Sequence, residues 1–189
     1  MRISILINDI KDLLKQTFAS IDSWFEKDVQ LCNYLPQDGG WSIIQILEHI
    51  ALTNHYLLIL IEKGTNKALQ NARKLDLENE LSQYSFQAEK LNEIGINKSF
   101  PWIRPDHMEP SGNRAPETIR IQLREQMEQC ISNLNRLKNG EGVLYKTTMS
   151  VNNLGKINVY EYIYFLAKHG ERHIRQMERV ASEFEQNNT

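Results

Sequence analysis

Phe165-Leu166-Ala167-Lys168-His169-Gly170-Glu171-Arg172-His173-Ile174-Arg175-Gln176 lies inside the last long run of helical periodicity in this chain. The stripe around it is Ile163, Leu166, Gly170, His173, Met177, Val180 and Phe184, in steps mostly of three and four. That spacing predicts a helix with one buried face. His173 stands in the stripe where an apolar residue would otherwise sit, and His169 lies beside it. Residues four apart on a helix share a face, with Cβ atoms roughly 5–6 Å apart. Two imidazoles so placed can close on one metal ion. Upstream, Asn158 with Glu161 three residues on reads as a capping box that starts the helix.

Three earlier segments carry the same periodicity. The first runs from Ser4 to Leu35, with Ile7, Ile10, Leu13, Leu14, Phe18, Ile21, Trp24 and Phe25 as its stripe. Pro36 ends it, and Gln37-Asp38-Gly39-Gly40 supplies a turn. The second starts at Ser42, where Ser42 and Gln45 form a capping box and Trp41 takes the staple position. Its stripe is Ile43, Ile46, Leu47, Ile50, Leu57, Leu58 and Ile61, and Gly64 is expected to close it. The third begins at Ala115-Pro116, with Pro at the first turn. It carries Ile119, Leu123, Met127, Cys130, Ile131, Leu134 and Leu137 before Asn139-Gly140-Glu141-Gly142 stops it.

Four long amphipathic helices with no strand signal predict an all-α chain, a four-helix bundle in a single domain over 1–189. The short first connection makes helices one and two antiparallel neighbours. Residues 64–115 form a long crossover between helices two and three, long enough to let those two run parallel. Within it, 75–94 has helical propensity and a thin apolar stripe, which predicts a peripheral helix or two. Phe100 to Gly112 has too much Pro and Gly for a regular element, and enough aromatic surface to be packed.

Composition narrows the function. Lys+Arg 22 against Asp+Glu 24 leaves a net charge of -2, without the basic excess of a nucleic-acid binder. The longest apolar run, Tyr56 to Ile61, is too short to span a bilayer, and Asp9, Lys11 and Asp12 interrupt the apolar start. The expectation is a cytoplasmic protein with neither nucleic acid nor membrane as partner. Cys32 and Cys130 read as reduced, core-filling thiols.

Five histidines are present: His49, His55, His107, His169 and His173. Taken alone, the His169/His173 pair reads more readily as hydrogen-bonded core histidines than as ligands, since His-x-x-x-His arises easily by chance. His49 adds a third, on the edge of an apolar face in mid-helix, and a bundle core can bring such positions together. Three neutral imidazoles suit Zn²⁺ or Ni²⁺ and leave coordination places open for water or substrate. His55 falls on a different face and reads as surface or packing. His107 lies in the irregular loop, either as a plain loop histidine or as a general base or substrate contact. Gln45 and Gln176 sit one turn from the proposed ligands, where they can hydrogen-bond a ligand or its water, or only cap locally. Trp102 joins them as a substrate candidate in the aromatic loop. There is no phosphate-cradling Gly-rich loop, no Gly-x-Ser-x-Gly and no Cys-x-x-Cys. Gly170-Glu171-Arg172 between the paired histidines departs from the zincin pattern.

Gly39-Gly40-Trp41-Ser42-Ile43-Ile44-Gln45-Ile46-Leu47-Glu48-His49-Ile50, then Leu154-Gly155-Lys156-Ile157, then His169 to Gln176, form an ordered set that resembles the DinB/YfiT superfamily of bacterial four-helix-bundle proteins. The resemblance covers most of the chain except 64–115. It implies an up-down-down-up bundle with a three-histidine site, the ligands carried over to His49, His169 and His173. It implies zinc or nickel as cofactor and a homodimer. Some members transfer low-molecular-weight thiols such as bacillithiol or mycothiol onto electrophiles, and others are described only as metal-dependent hydrolases. The expectation is therefore a small-molecule substrate and a thiol S-transferase or hydrolase. The alternative is a non-enzymatic, stress-linked or dimeric protein with a structural metal site, because no acid/base carboxylate is evident beside the triad.

Overall fold

Among the residues described by the computed structural model, 2–96 and 105–188, the chain forms α1 (Ile3–Ser23), α2 (Val29–Asn33), α3 (Ile43–Asn71), α4 (Leu77–Gln83), α5 (Ala88–Glu93), α6 (Pro116–Arg136), β1 (Lys146–Met149), β2 (Gly155–Asn158) and α7 (Val159–Asn187). The structure is mostly helical, as the periodicity predicts. Both 29-residue helices, α3 and α7, begin at capping boxes, Ser42 with Gln45 and Asn158 with Glu161. Each box satisfies backbone donors that a helix start leaves open.

The structure corrects the sequence reading in four places. The first helix does not run from Ser4 to Leu35. It stops at Ser23, passes through a 3-10 turn at Trp24–Glu26, and restarts as α2. Asp28 drives the restart by accepting from the N–H groups of Gln30 and Leu31, a local bond that competes with continuing the helix. Gly64 does not close the second helix either, since α3 continues to Asn71. A Cβ built on Gly64 would lie 3.0 Å from Val159 Cγ2. This glycine marks a close approach of α3 to α7, not a helix end. The crossover therefore begins later than expected, and its helical part divides into α4 and α5. Finally, the connection after α6 contains an antiparallel hairpin, with Lys146 opposite Asn158 and Met149 opposite Gly155. Asn152 and Asn153 take positive φ in its turn, a conformation Asn tolerates better than most residues.

Side-chain contacts fix the directions of the long helices pair by pair. Asp22 of α1 meets Arg120 and Arg124 of α6, while Lys11 meets Asn135, so these two run antiparallel. The Arg120 and Arg124 guanidiniums hold the Asp22 carboxyl well below the usual carboxylate range. Gln126 Nε2 of α6 donates to Ala51 O of α3, and Arg136 reaches Glu62, so α3 and α6 run parallel. Gly64 beside Val159, together with the histidines described below, makes α3 and α7 antiparallel. The core lies between these four helices and takes in Ile10, Leu14, Ile46, Ile50, Leu123, Leu134, Ile163 and Leu166. By length and composition α3 is apolar enough to cross a membrane, but 61% of its most apolar window is buried in the fold.

Gly170 is the second close approach, where α7 meets α1. A Cβ there would lie 2.8 Å from Thr17 Cγ2 and 3.2 Å from Ile21 Cδ1. Thr17 is β-branched and buried, so it cannot rotate away cheaply. Alanine would add about 1 kcal/mol of helix propensity, while overpacking costs about 1–3 kcal/mol. We expect Gly170→Ala to lower stability in urea unfolding, and Thr17→Ser, which removes the clashing methyl, to recover most of the loss. A Gly170→Ala protein more stable than the parent would refute the packing argument.

Candidate metal centre

The seam between α3 and α7 builds the site. His49 lies fifteen residues before Gly64, and His173 fourteen after Val159. With the helices antiparallel and touching at Gly64 and Val159, nearly the same length of helix, about 21–23 Å at 1.5 Å per residue, carries both histidines to one level. All three imidazoles are buried, with His49 and His173 at 6% exposure and His169 at 2%. Their ligand atoms lie within 4.8 Å of one another. His169 Nε2 and His173 Nε2 stand 3.0 Å apart. Two nitrogens on one tetrahedral zinc would be separated by roughly 3.3 Å, given bonds of about 2.0–2.1 Å. The donor set therefore fits a divalent cation.

Hydrogen bonds on the far sides of two rings orient them. His49 Nδ1–H donates to Met108 O at 2.7 Å, and His173 Nδ1–H donates to Gln176 Oε1 at 2.8 Å. In the tautomer this network favours, each ring turns its Nε2 lone pair toward the cluster. Trp41 packs on His49 with ring centroids 4.9 Å apart, and Phe165 lies parallel to His169 at 6.4 Å. Both aromatics keep water off the rings.

The histidines lie in a cleft of about 730 Å³. Its walls include Tyr56 and Leu57 of α3, Met108 and Glu109 of the loop before α6, Thr148 to Val151 of the hairpin, and Tyr162, Arg172 and Gln176 of α7. Tyr162 Oη donates to Thr148 O at 3.0 Å and ties the hairpin to α7. A cleft of this size takes a small molecule.

The other sequence candidates separate. Gln176 touches His173, as its spacing suggests. Gln45 does not reach the histidines: its Oε1 accepts the Ser42 N–H within the capping box. His107 is exposed and packs its ring against Tyr56 at 4.3 Å, outside the cleft lining. His55 is exposed, as expected. Trp102 lies outside the described residues. Sequence reasoning missed the Met108 carbonyl, which has no side-chain signature, and Glu48, whose carboxylate holds the loop carrying Met108.

The family model for the DinB superfamily matches residues 12–177, a span that contains all three clustered histidines. No curated protein and no solved structure matches the chain.

Burial keeps the His169 and His173 imidazoles neutral. Desolvation, then the neighbouring His173 and His49, push His169 well below its ordinary value. Desolvation and His49 lower His173 to about 3, against an opposing bond from Gln176. Unfolded histidines take up protons below about pH 6.5, whereas the folded pair does not until far lower. The stability that these two groups contribute to metal-free protein is thus full above pH 6.5 and declines as pH falls toward 3. The slope is about 1.4 kcal/mol per pH unit for each histidine. In chelator-treated protein, His173→Leu should remove roughly half of the slope between pH 6.5 and 5 measured by urea titration. An unchanged slope would show that His173 ionises normally.

Proposed function

Since this chain belongs to the DinB superfamily, we propose that His49, His169 and His173 hold a divalent cation, zinc or nickel, and that the protein is a metal-dependent enzyme acting on a small electrophile. The activity is thiol S-transfer or hydrolysis, with a low-molecular-weight thiol such as bacillithiol or mycothiol as the cosubstrate of the first. The four long helices form an up-down-down-up bundle in this reading, a reading supported by the three pairwise directions given above. The observation that carries the proposal is the convergence of three buried imidazoles on one point at the wall of a small-molecule cleft. A histidine-bound divalent cation with open coordination places supplies Lewis acidity and favours the deprotonated form of a water or thiol.

The chain's own residues supply the rest. Gln176 and Met108 O fix the tautomers of His173 and His49. Trp41 and Phe165 exclude bulk water from the rings. Arg172 lines the cleft one residue before His173 and puts positive charge beside bound substrate. Its Nη1 is held on Ile96 O at 2.8 Å, which steadies the side chain. Tyr162, through its bond to Thr148 O, holds the hairpin that forms part of the cleft wall.

A structural site in a non-enzymatic protein is the second reading. It is favoured by the cleft lining, in which Glu109 is the one carboxylate among the described residues.

Metal analysis of purified protein after equilibration with zinc or nickel should give one ion per chain. His49→Ala should abolish tight binding. Gln176→Leu should weaken it about 10–100-fold while leaving the fold intact. Consumption of a low-molecular-weight thiol in the presence of an aromatic halide, lost on chelation and in His49→Ala, supports the transferase. Full metal occupancy without turnover on thiol or ester substrates, together with unfolding on chelation, would favour the structural site instead.

A further inference from the structure

Glu48 precedes His49 on α3 and is 2% exposed. A helix turns about 100° per residue, so its carboxylate points away from the imidazole cluster. That carboxylate accepts from Ser111 Oγ–H and from Gly112 N–H, both at 2.8 Å. Gly112 has φ +71°, and a Cβ built on it would lie 3.1 Å from Gln45 Nε2. Only glycine lets the loop press this closely onto α3 in that conformation. Four residues before Gly112 the same loop delivers Met108 O to His49 Nδ1 at 2.7 Å. Thr53 Oγ1 lies 3.8 Å from Met108 Sδ, and Pro110 between the two anchors is buried. The segment 108–112 is thus fastened to α3 at adjacent residues, by Glu48 at one end and by His49 at the other.

We propose that Glu48 is a positioning residue of the metal site: by holding Ser111 and Gly112 it sets the Met108 carbonyl against His49 Nδ1 and so turns His49 Nε2 toward His169 and His173. The inference rests on the metal reading given above. An imidazole's tautomer and orientation follow from the bond its other nitrogen makes. Here that partner is a backbone carbonyl on a loop, which can hold the ring only if the loop is itself held. A carboxylate suits the task because it accepts two hydrogen bonds at once, each strengthened by its charge. The coupling is reciprocal: an ion that needs Nε2 also strengthens the hold of α3 on the loop.

The test uses the full chain, with Glu48→Leu, Glu48→Gln and Ser111→Ala. Long-range proton–nitrogen NMR on metal-free protein reads the His49 tautomer. We expect a single Nδ1–H form with slow proton exchange in the parent, and mixed tautomers with faster exchange in Glu48→Leu. Zinc affinity, measured by competition with a chromophoric chelator, should fall at least about tenfold in Glu48→Leu, with a smaller loss in Ser111→Ala. Glu48→Gln still offers an acceptor to Gly112 N–H and should recover part of both signals. Ser111 is an exposed loop residue, so its alanine variant keeps the test alive if Glu48→Leu fails to fold. Normal zinc uptake by the parent, with His49 tautomer and zinc affinity unchanged in the folded variants, would overturn the role of Glu48 alone. A parent that takes up no zinc would overturn the metal reading and this role with it, while the NMR result would still report separately whether the latch orients His49.

Discussion

The antiparallel contact between α3 and α7 is the constraint on which the rest depends. The two helices pack tightly where Gly64 meets Val159, and that point marks how far each helix has slid along the other. The distance from there to His49 on one helix matches the distance to His173 on the other. A slip of one turn, about 5.4 Å, would carry His49 past both partners and leave three buried imidazoles with no common point. The residue that sets the register therefore lies about four turns from the chemistry it positions.

The other helices make this seam costly to disturb. Thr17 and Ile21 of α1 press on Gly170, between the paired histidines. Asp22, bound to Arg120 and Arg124, joins α1 to α6, and Gln126 joins α6 to α3 through the carbonyl of Ala51. Burying imidazoles in such a packed interior disfavours their protonation and so keeps them in the neutral state that a metal ligand requires. Packing and ligand chemistry thus pull the same way: the environment that lowers the basicity of His169 and His173 also holds their lone pairs ready.

Much of this was legible in the sequence because helix signals are local. The caps at Ser42 and Asn158, the start at Pro116 and the stripes of all four long helices came directly from spacing and residue type. The three histidines were legible because each interrupts or borders an apolar stripe and so had to face the interior. Part of what escaped depends on contacts distant in sequence, and part on which of several local bonds a side chain makes. Gly64 has the local signature of a helix end, and only the presence of Val159 across the seam makes it a packing residue. Asp28 lies within a continuous apolar period, and only the turn of its carboxylate onto Gln30 and Leu31 N–H makes it the cap of a new helix. The segments around Thr147 and Ile157 are too short for a period of two to register, and they become strands by pairing with each other. Gln45 and Gln176 looked alike by spacing from a histidine. The backbone bond Gln45 makes to Ser42 turns it away, whereas Gln176 is left to meet His173.

The central claim is that these three side chains share one ion. Crystals of the protein equilibrated with zinc, measured on both sides of the zinc absorption edge, test it most directly. The account predicts a single strong anomalous peak about 2.0–2.1 Å from Nε2 of His49, His169 and His173. A peak bound by only two of them, or one located elsewhere with the three rings unchanged, would contradict it.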